Sequence, residues 1–177
     1  KRTGDIIELR DVIDEVGADA TRLVYLLQSL DSPQTVDLAV IAAQSMDNPV
    51  FYIQMAHARL CSLAVKAAER GVEVPPLADV DLAPLTATRE LDLLRLLNSL
   101  PGVIEIAARD RAPHKVATWL RELAAEVHGF YHDSPVLRED VTPADRDARL
   151  RLAQAALGGL KVGLSVLGAH APESMPS

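Results

Sequence analysis

The dipeptide Asn48-Pro49 constrains the fold of this chain more than any other feature. Asn is favoured at the N-cap of an α-helix and Pro at the first helical position, so the pair predicts a helix start. The side chains that follow are apolar at helical spacing, and one face of the helical wheel carries Val50, Ile53, Ala56, Leu60, Leu63, Ala64 and Ala67. We therefore predict an amphipathic helix of about 22 residues that ends near Gly71.

The same start and stop signals divide the rest of the chain into helices. Glu8–Val16 is predicted to be a helix ended by Gly17, and Asp19 is predicted to cap a second helix running to Leu30. We predict that residues 31–38 form a loop or one short extended piece. Beyond a Pro-rich loop, we predict a helix over Thr86–Ser99 broken by Pro101-Gly102, a short helix to Arg109, a long helix between Pro113 and Pro135, and a last helix from Thr142-Pro143 to about Gly168.

Composition agrees with an all-α fold. The chain has 177 residues, of which 49% are hydrophobic, and only one Trp, three Tyr and two Phe. An apolar content built on Ala and Leu rather than on aromatic residues favours helices over strands. We predict a helical bundle of about four long helices, preceded by a short helical appendage formed by the 8–16 and 19–30 pair.

Charge and apolar runs exclude several classes of protein. The formal net charge of −7 argues against binding nucleic acid through bulk positive charge, so any contact with a polyanion must be local and no DNA partner is expected. No apolar run approaches the roughly 18–20 residues of a membrane span. The first residues lack the apolar core of a signal peptide, and the single Cys61 excludes an internal disulfide. We expect a cytoplasmic protein with no membrane partner.

Two pairs of residues have the i,i+4 spacing of metal ligands on a helix. His57 is followed by Cys61, and His128 by His132. Two ligands do not complete a metal site, and the His-Glu-x-x-His pattern is absent because Gly129 follows His128. We predict no metal, with His57 a satisfied, half-buried histidine beside a small buried cysteine.

Aromatic residues at two places leave two interpretations open. Phe51 and Met55 fall on the otherwise polar side of the first long helix, near Arg59, where they could pack under a neighbouring element or contact a partner. Phe130 and Tyr131 end another helix. Such residues are usually half in the core, but their exposed rims can stack on an unpaired base.

Four stretches are informative when taken together and in order: Lys1–Gly4, Gly17–Arg22, Asn48–Leu63 and Ala171–Met175. The third contains the sequence Ala-His-Ala-Arg at residues 56–59. Together the four resemble the C-terminal part of bacterial arginyl-tRNA synthetase, a family in which this Ala-His-Ala-Arg helix is typical. The first stretch is similar to the end of the family's Met-Ser-Lys-Arg-x-Gly signature loop.

The resemblance implies a division of the chain and a function. Residues 1–35 would be the end of the class I catalytic domain after the signature loop, and residues 36–177 the helical anticodon-binding domain. The intact enzyme attaches arginine to tRNA-Arg with ATP and Mg²⁺, and the loop lysine matching Lys1 helps stabilise the phosphates. Since this chain contains no nucleotide-binding motif, we expect no cofactor in it and no ligase activity from it alone.

The resemblance also implies a set of tRNA-binding residues. The loop before the Ala-His-Ala-Arg helix approaches the anticodon in the family, as do an aromatic residue on a later helix and the terminal Met. The positions concerned here are Ser45, Asp47, Asn48, Tyr52, Arg59, Tyr131 and Met175.

The chain also departs from the family. His132 and Ser134 replace an Asn and a Cys, and two arginines are replaced by Pro135 and Ser174. Because lost arginines weaken contacts to phosphate, these changes and the negative net charge favour an alternative. In that alternative the chain is a synthetase-derived helical module, or a diverged copy, that docks protein rather than RNA.

Overall fold

The computed structural model describes residues 8–33 and 35–175, and within them it contains seven α-helices and no strand. This confirms the predicted all-α fold. The helices are α1 (Leu9–Val16), α2 (Ala18–Leu26), α3 (Leu38–Ala42), α4 (Pro49–Glu69), α5 (Thr88–Asp110), α6 (His114–Asp133) and α7 (Pro143–Val166), with a short 3-10 turn at Leu77–Asp79. In this described part, every helix is too short or too polar to cross a membrane.

The first long helix, α4, begins where the sequence predicts. The Asn48 side-chain oxygen accepts hydrogen bonds from the backbone N–H groups of Val50, at 2.9 Å, and Phe51, at 3.3 Å. The predicted apolar face is buried except for Ala64, which is exposed. The start of α7 is confirmed in the same way, because the Thr142 hydroxyl accepts from the Asp145 N–H.

The four long helices α4 to α7 surround one core. Helices α5 and α6 run antiparallel, as do α6 and α7. Trp119 of α6 lies between α5 and α7. On α7, a Cβ added at Gly163 would lie 2.7 Å from a methyl carbon of Leu120, and one added at Gly159 would lie 2.8 Å from a methyl carbon of Leu97. These glycines therefore permit close helix packing, as expected from their position inside a helix.

The predicted break at Pro101-Gly102 is wrong, since α5 is one continuous helix with Pro101 inside it. A proline in a helix interior costs about 3 kcal/mol because it removes one hydrogen bond and crowds the preceding turn. Leu100 and Val103, on either side of it, pack against the core. In the turn before Pro101, the Leu96 carbonyl accepts additional hydrogen bonds from the Trp119 indole at 3.0 Å and the Ser99 hydroxyl at 2.7 Å. Burial along α6 keeps the helix continuous.

The N-terminal appendage also differs in detail. Asp19 is not the N-cap of α2, because Gly17, with a φ of +87°, serves as both the end of α1 and the start of α2. The helix ends at Leu26 instead of Leu30, whose side chain is 79% exposed. The short helix α3, capped by Asp37, lies just beyond the predicted loop and was not predicted. Helix α1 packs on α2 and α3, and α2 packs on α4 and α6. The boundary between residues 35 and 36 stays a prediction.

Candidate nucleic-acid interface

Three of the predicted tRNA-binding residues lie together between α4 and α6. The Tyr52 ring packs on the His128 ring, with centroids 4.5 Å apart and planes tilted by 60°. The Arg59 guanidinium hydrogen bonds to His128 Nδ1 at 2.9 Å and lies over the Tyr131 ring, 5.9 Å from its centroid. Tyr131 is 37% exposed. The arrangement places a cation beside an accessible aromatic ring.

His128 joins these residues as a neutral imidazole. Its Nε2 lies 3.0 Å from the Tyr52 carbonyl, which can only accept a hydrogen bond, so the proton is on Nε2. Nδ1 is then free to accept from Arg59. Burial lowers the pKa of His128, the hydrogen bond to the Tyr52 carbonyl opposes this, and the positive charge of Arg59 lowers the pKa further. Protonation of His128 would place an N–H group on Nδ1 facing the Arg59 guanidinium, and the hydrogen bond between them would be lost.

A groove of about 330 Å³ extends the surface beyond Tyr131. It lies between the C-terminal half of α4 and the segment that follows α6, and three basic side chains line it: Lys66, Arg70 and Arg138. Arg70 donates to the Leu137 carbonyl, and Arg138 is paired with Asp140 at 2.7 Å. Because Asp140 offsets the charge of Arg138, the positive charge of the groove comes mainly from Lys66 and Arg70, in a chain that is acidic as a whole.

The loop before α4 is held by Asn48. Its side chain is 5% exposed, and its amide nitrogen donates to the carbonyls of Ile41 and Ala43 at 2.6 and 2.9 Å. With its oxygen capping α4, every polar atom of this side chain is used inside the protein. Asn48 therefore shapes the loop, whereas Asp47 is exposed and Ser45 half-buried.

Met175 lies at the same end of α4, on a different side from Tyr131. It lines a cavity of about 240 Å³ together with Asn48, Phe51 and Gln54 of the loop and α4, and with residues of α1 to α3. Phe51 is half-buried and lines the same cavity. Met55 is also half-buried.

Five of the seven predicted tRNA-binding residues thus fall into two groups. Tyr52, Arg59 and Tyr131 form one surface, and Asn48 and Met175 line a separate cavity; Lys1 lies outside the described residues. Sequence reasoning considered His128 only as a metal ligand, and it missed the basic groove. Two signals in the sequence were available. His128 and Tyr131 are three residues apart and so lie on one face of their helix, and Lys66 is four residues before Arg70, which places two basic side chains on one face.

The candidate metal pairs have other partners. His57 is 3% exposed and its Nδ1 lies 2.8 Å from the Pro172 carbonyl, with Cys61 Sγ 3.7 Å away. Burial raises the pKa of the Cys61 thiol, and Glu173 raises it further. His132 is exposed and contacts Asp133. The part of the chain that the structure describes contains no group of three side chains arranged to bind a metal ion.

Comparison with known proteins identifies the family of this chain. Residues 53–175 match the family described as the DALR anticodon-binding domain. The chain belongs to that family. The match covers α4 from Ile53 onward, α5 to α7 and the C-terminal segment, and so includes Tyr131 and the basic groove but not Tyr52.

Relatives of the chain confirm the resemblance to arginyl-tRNA synthetases. Over 98% of its length, the chain is 44% identical to an arginine–tRNA ligase of Nitratidesulfovibrio vulgaris. Over 99% of its length, it is 41% identical to that of Geobacter metallireducens. It superposes on arginyl-tRNA synthetase structures from Campylobacter jejuni (TM-score 0.83, 30% identity) and Thermus thermophilus (TM-score 0.74, 26% identity), in both cases over 99% of this chain. The chain spans 32% and 31% of the two ligases, and 37% and 29% of the two solved chains.

Proposed function

We propose that this chain is the anticodon-binding part of an arginine–tRNA ligase and that its α4–α6 surface contacts the anticodon loop of tRNA-Arg. The observation that carries the proposal is the exposed Tyr131 ring with Arg59 over its face, at the mouth of a basic groove. Proteins read unpaired bases by stacking them on aromatic rings, and arginine adds a cation–π contribution.

The groove suits the sugar–phosphate backbone of the same loop. Lys66 and Arg70 present positive charge in the groove beside Tyr131, and phosphate contacts of this kind position an RNA without reading its sequence. Because only these few cations face the RNA, we expect affinity to fall with salt by a small number of released counterions rather than by the large number that a basic domain releases.

In the intact enzyme, we propose that the missing catalytic domain precedes this one, and that residues 1–35 are its last part. ATP and Mg²⁺ would bind to that domain, with Lys1 near the phosphates, and arginine would be attached to tRNA-Arg in the cytoplasm. The similarity to arginine–tRNA ligases along 98–99% of this chain supports this proposal.

A titration tests the proposal. The chain should bind tRNA-Arg more tightly than a non-cognate tRNA, and both affinities should fall between two salt concentrations. Replacing Tyr131 by Ala should weaken tRNA-Arg binding by about 1–3 kcal/mol, the usual value of one stacked base, while Tyr131→Phe keeps most of it.

Tyr25→Ala is the matched control, because Tyr25 is exposed to a similar extent, 42%, on α2 outside the groove. It should leave the affinity unchanged. Equal binding of both tRNAs, or no binding, would contradict the proposal and favour a module that docks protein. An unchanged affinity and fold in Tyr131→Ala would remove that residue from the site.

A further inference from the structure

The C-terminal segment 168–175, here called the tail, is folded back onto the protein. Helix α7 ends with Gly168 at a φ of +70°, and the N–H of Ala169 bonds to the Leu164 carbonyl at 2.9 Å. This is the backbone pattern that ends a helix and reverses the chain. The tail then crosses α2 and α4.

Helix α2 holds the beginning of the tail. Arg22 donates a hydrogen bond to the Gly168 carbonyl, and the Asp19 carboxylate accepts from the His170 N–H at 2.8 Å. The Asp19 contact explains why an acidic residue lies inside the first turn of α2. Its charge interacts favourably with the helix N-terminus while its oxygen binds the tail.

Helix α4 holds the middle of the tail through two side chains one turn apart. The Gln54 amide nitrogen donates to the His170 carbonyl at 3.2 Å. His57 Nδ1 donates to the Pro172 carbonyl at 2.8 Å. With the tail in place His57 is 3% exposed, so this hydrogen bond between α4 and the tail is shielded from competing water.

These contacts determine where the tail ends. The backbone bends at Glu173, and Met175 then returns to the N-terminal end of α4. There it lines the 240 Å³ cavity together with Phe51 and Gln54. Residues 173–175 form no regular secondary structure, so the position of Met175 depends on the hydrogen bonds that precede it.

We propose that Gln54 and His57 are positioning residues of the RNA-binding surface, and that by bonding the tail carbonyls they hold Met175 in the wall of this cavity. The proposal extends the RNA-binding surface from the α4–α6 groove to this separate cavity, and its RNA part rests on the proposed function. Neither side chain has to touch the RNA, since each acts through the tail.

The first test follows Met175 without RNA. The chain has three methionines, Met46, Met55 and Met175, so carbon-13-labelled methyl groups give a simple spectrum. In Gln54→Leu, the Met175 methyl signal should shift part of the way toward the position of an unstructured methionine, because the other hydrogen bonds to the tail remain, while Met46 stays in place. Gln154→Leu is the control, because Gln154 is exposed on α7 away from the tail.

His57→Phe should release the tail in the same way, and circular dichroism shows whether this buried substitution is folded. If it is not, Gln54→Leu alone decides. A Met175 signal that stays in its folded position in Gln54→Leu, and in a folded His57→Phe, would overturn the proposal.

The second test measures affinity for tRNA-Arg in Gln54→Leu, Met175→Ala and the double variant. Each single change should weaken binding by roughly fivefold or more, the lower end of what losing one base-contacting side chain causes. The double variant should bind as Met175→Ala does, because Gln54 acts through Met175.

The outcomes separate the two proposals. If Met175 is displaced but affinity is unchanged, the tail is not part of the RNA surface. Multiplicative losses in the double variant would mean that Gln54 acts independently of Met175. If the unaltered chain fails to prefer tRNA-Arg, the proposed function is wrong, whereas the methyl spectrum still decides whether Gln54 and His57 position Met175.

Discussion

Replacing Glu90 by Ala should be among the most damaging single changes in this domain. Glu90 is 0% exposed, and its two oxygens accept from different donors. One accepts from the Ala87 N–H at 3.0 Å and so caps α5, and the other accepts from the Arg149 guanidinium at 2.7 Å. Arg149 in turn donates to the Pro135 carbonyl at 2.8 Å. One carboxylate therefore connects α5, α7 and the segment that follows α6.

The cost can be worked from these contacts. Glu90→Ala leaves the Arg149 charge without its partner, and the side chain of Arg149 is only 18% exposed. Breaking a buried ion pair from one side costs about 3–5 kcal/mol, and the residual exposure of Arg149 places the expectation near the lower limit, at about 3 kcal/mol. Glu90→Gln keeps one acceptor but turns an amide N–H₂ group toward a donor, so it should cost about 1–3 kcal/mol.

Urea denaturation followed by circular dichroism measures both variants. For a domain of this size, a loss of about 3 kcal/mol corresponds to a decrease in melting temperature of roughly 6–12 °C. Glu105→Ala is the control, because Glu105 is exposed on the same helix, and it should change the stability by no more than about 0.5 kcal/mol. In a double-mutant cycle with Arg149→Met, the two losses should not add. A cost below about 1 kcal/mol for Glu90→Ala, or full additivity in the cycle, would refute the reasoning.

Three further predictions concern α7, α5 and His128. Gly158→Ala should stabilise the domain by about 0.5–1 kcal/mol in urea denaturation, because the added Cβ meets nothing within 4 Å. Gly163→Ala should lose this gain, because its added Cβ would lie too close to α6. Equal effects of the two substitutions would contradict the packing of α7 on α6. Arg111 ends α5 with a φ of +52°, so Arg111→Gly should raise the melting temperature, by an amount equivalent to about 1 kcal/mol, and no rise would mean that the left-handed backbone is unstrained there. Because burial lowers the pKa of His128 in the fold, the unfolded chain binds a proton first as pH falls below about 6.5, and stability should decrease from there through the lower folded pKa. Melting temperatures between pH 7.5 and 5.5 should decrease less in His128→Gln, and an equal decrease would assign the effect to other groups.

The start signals of the long helices could be read from sequence because they depend on neighbouring residues alone. At Asn48-Pro49 and Thr142-Pro143, a side-chain oxygen two or three residues away satisfies N–H groups that no helical carbonyl can reach, and proline has no N–H to satisfy. The buried face of α4 followed from its 3.6-residue period in the same local way.

Pro101 shows where local reasoning fails. Its interior position has the same unfavourable local energy that the sequence suggested, but Leu100 and Val103 on either side of it are partly buried against the core. Burial of several aliphatic side chains along α5 offsets a local cost of about 3 kcal/mol, since one such side chain contributes roughly 1.5–3 kcal/mol when fully buried. No feature within the helix itself reveals this.

The candidate site was partly predictable for the same reason. Resemblance to a family pointed to Tyr52, Arg59, Tyr131 and Met175. It did not point to His128, which joins the first three, or to Gln54 and His57, which bond the segment that carries Met175. His128 and Tyr52 are 76 positions apart, and His57 and Pro172 are 115 apart. By itself, the sequence determined the starts and caps of α4 and α7 and the amphipathic face of α4, all of which depend on residues within one or two turns. Only the tertiary structure decided that a neutral histidine orients Arg59 and that α4 holds the tail, because contacts between distant residues exist only after the helices have packed.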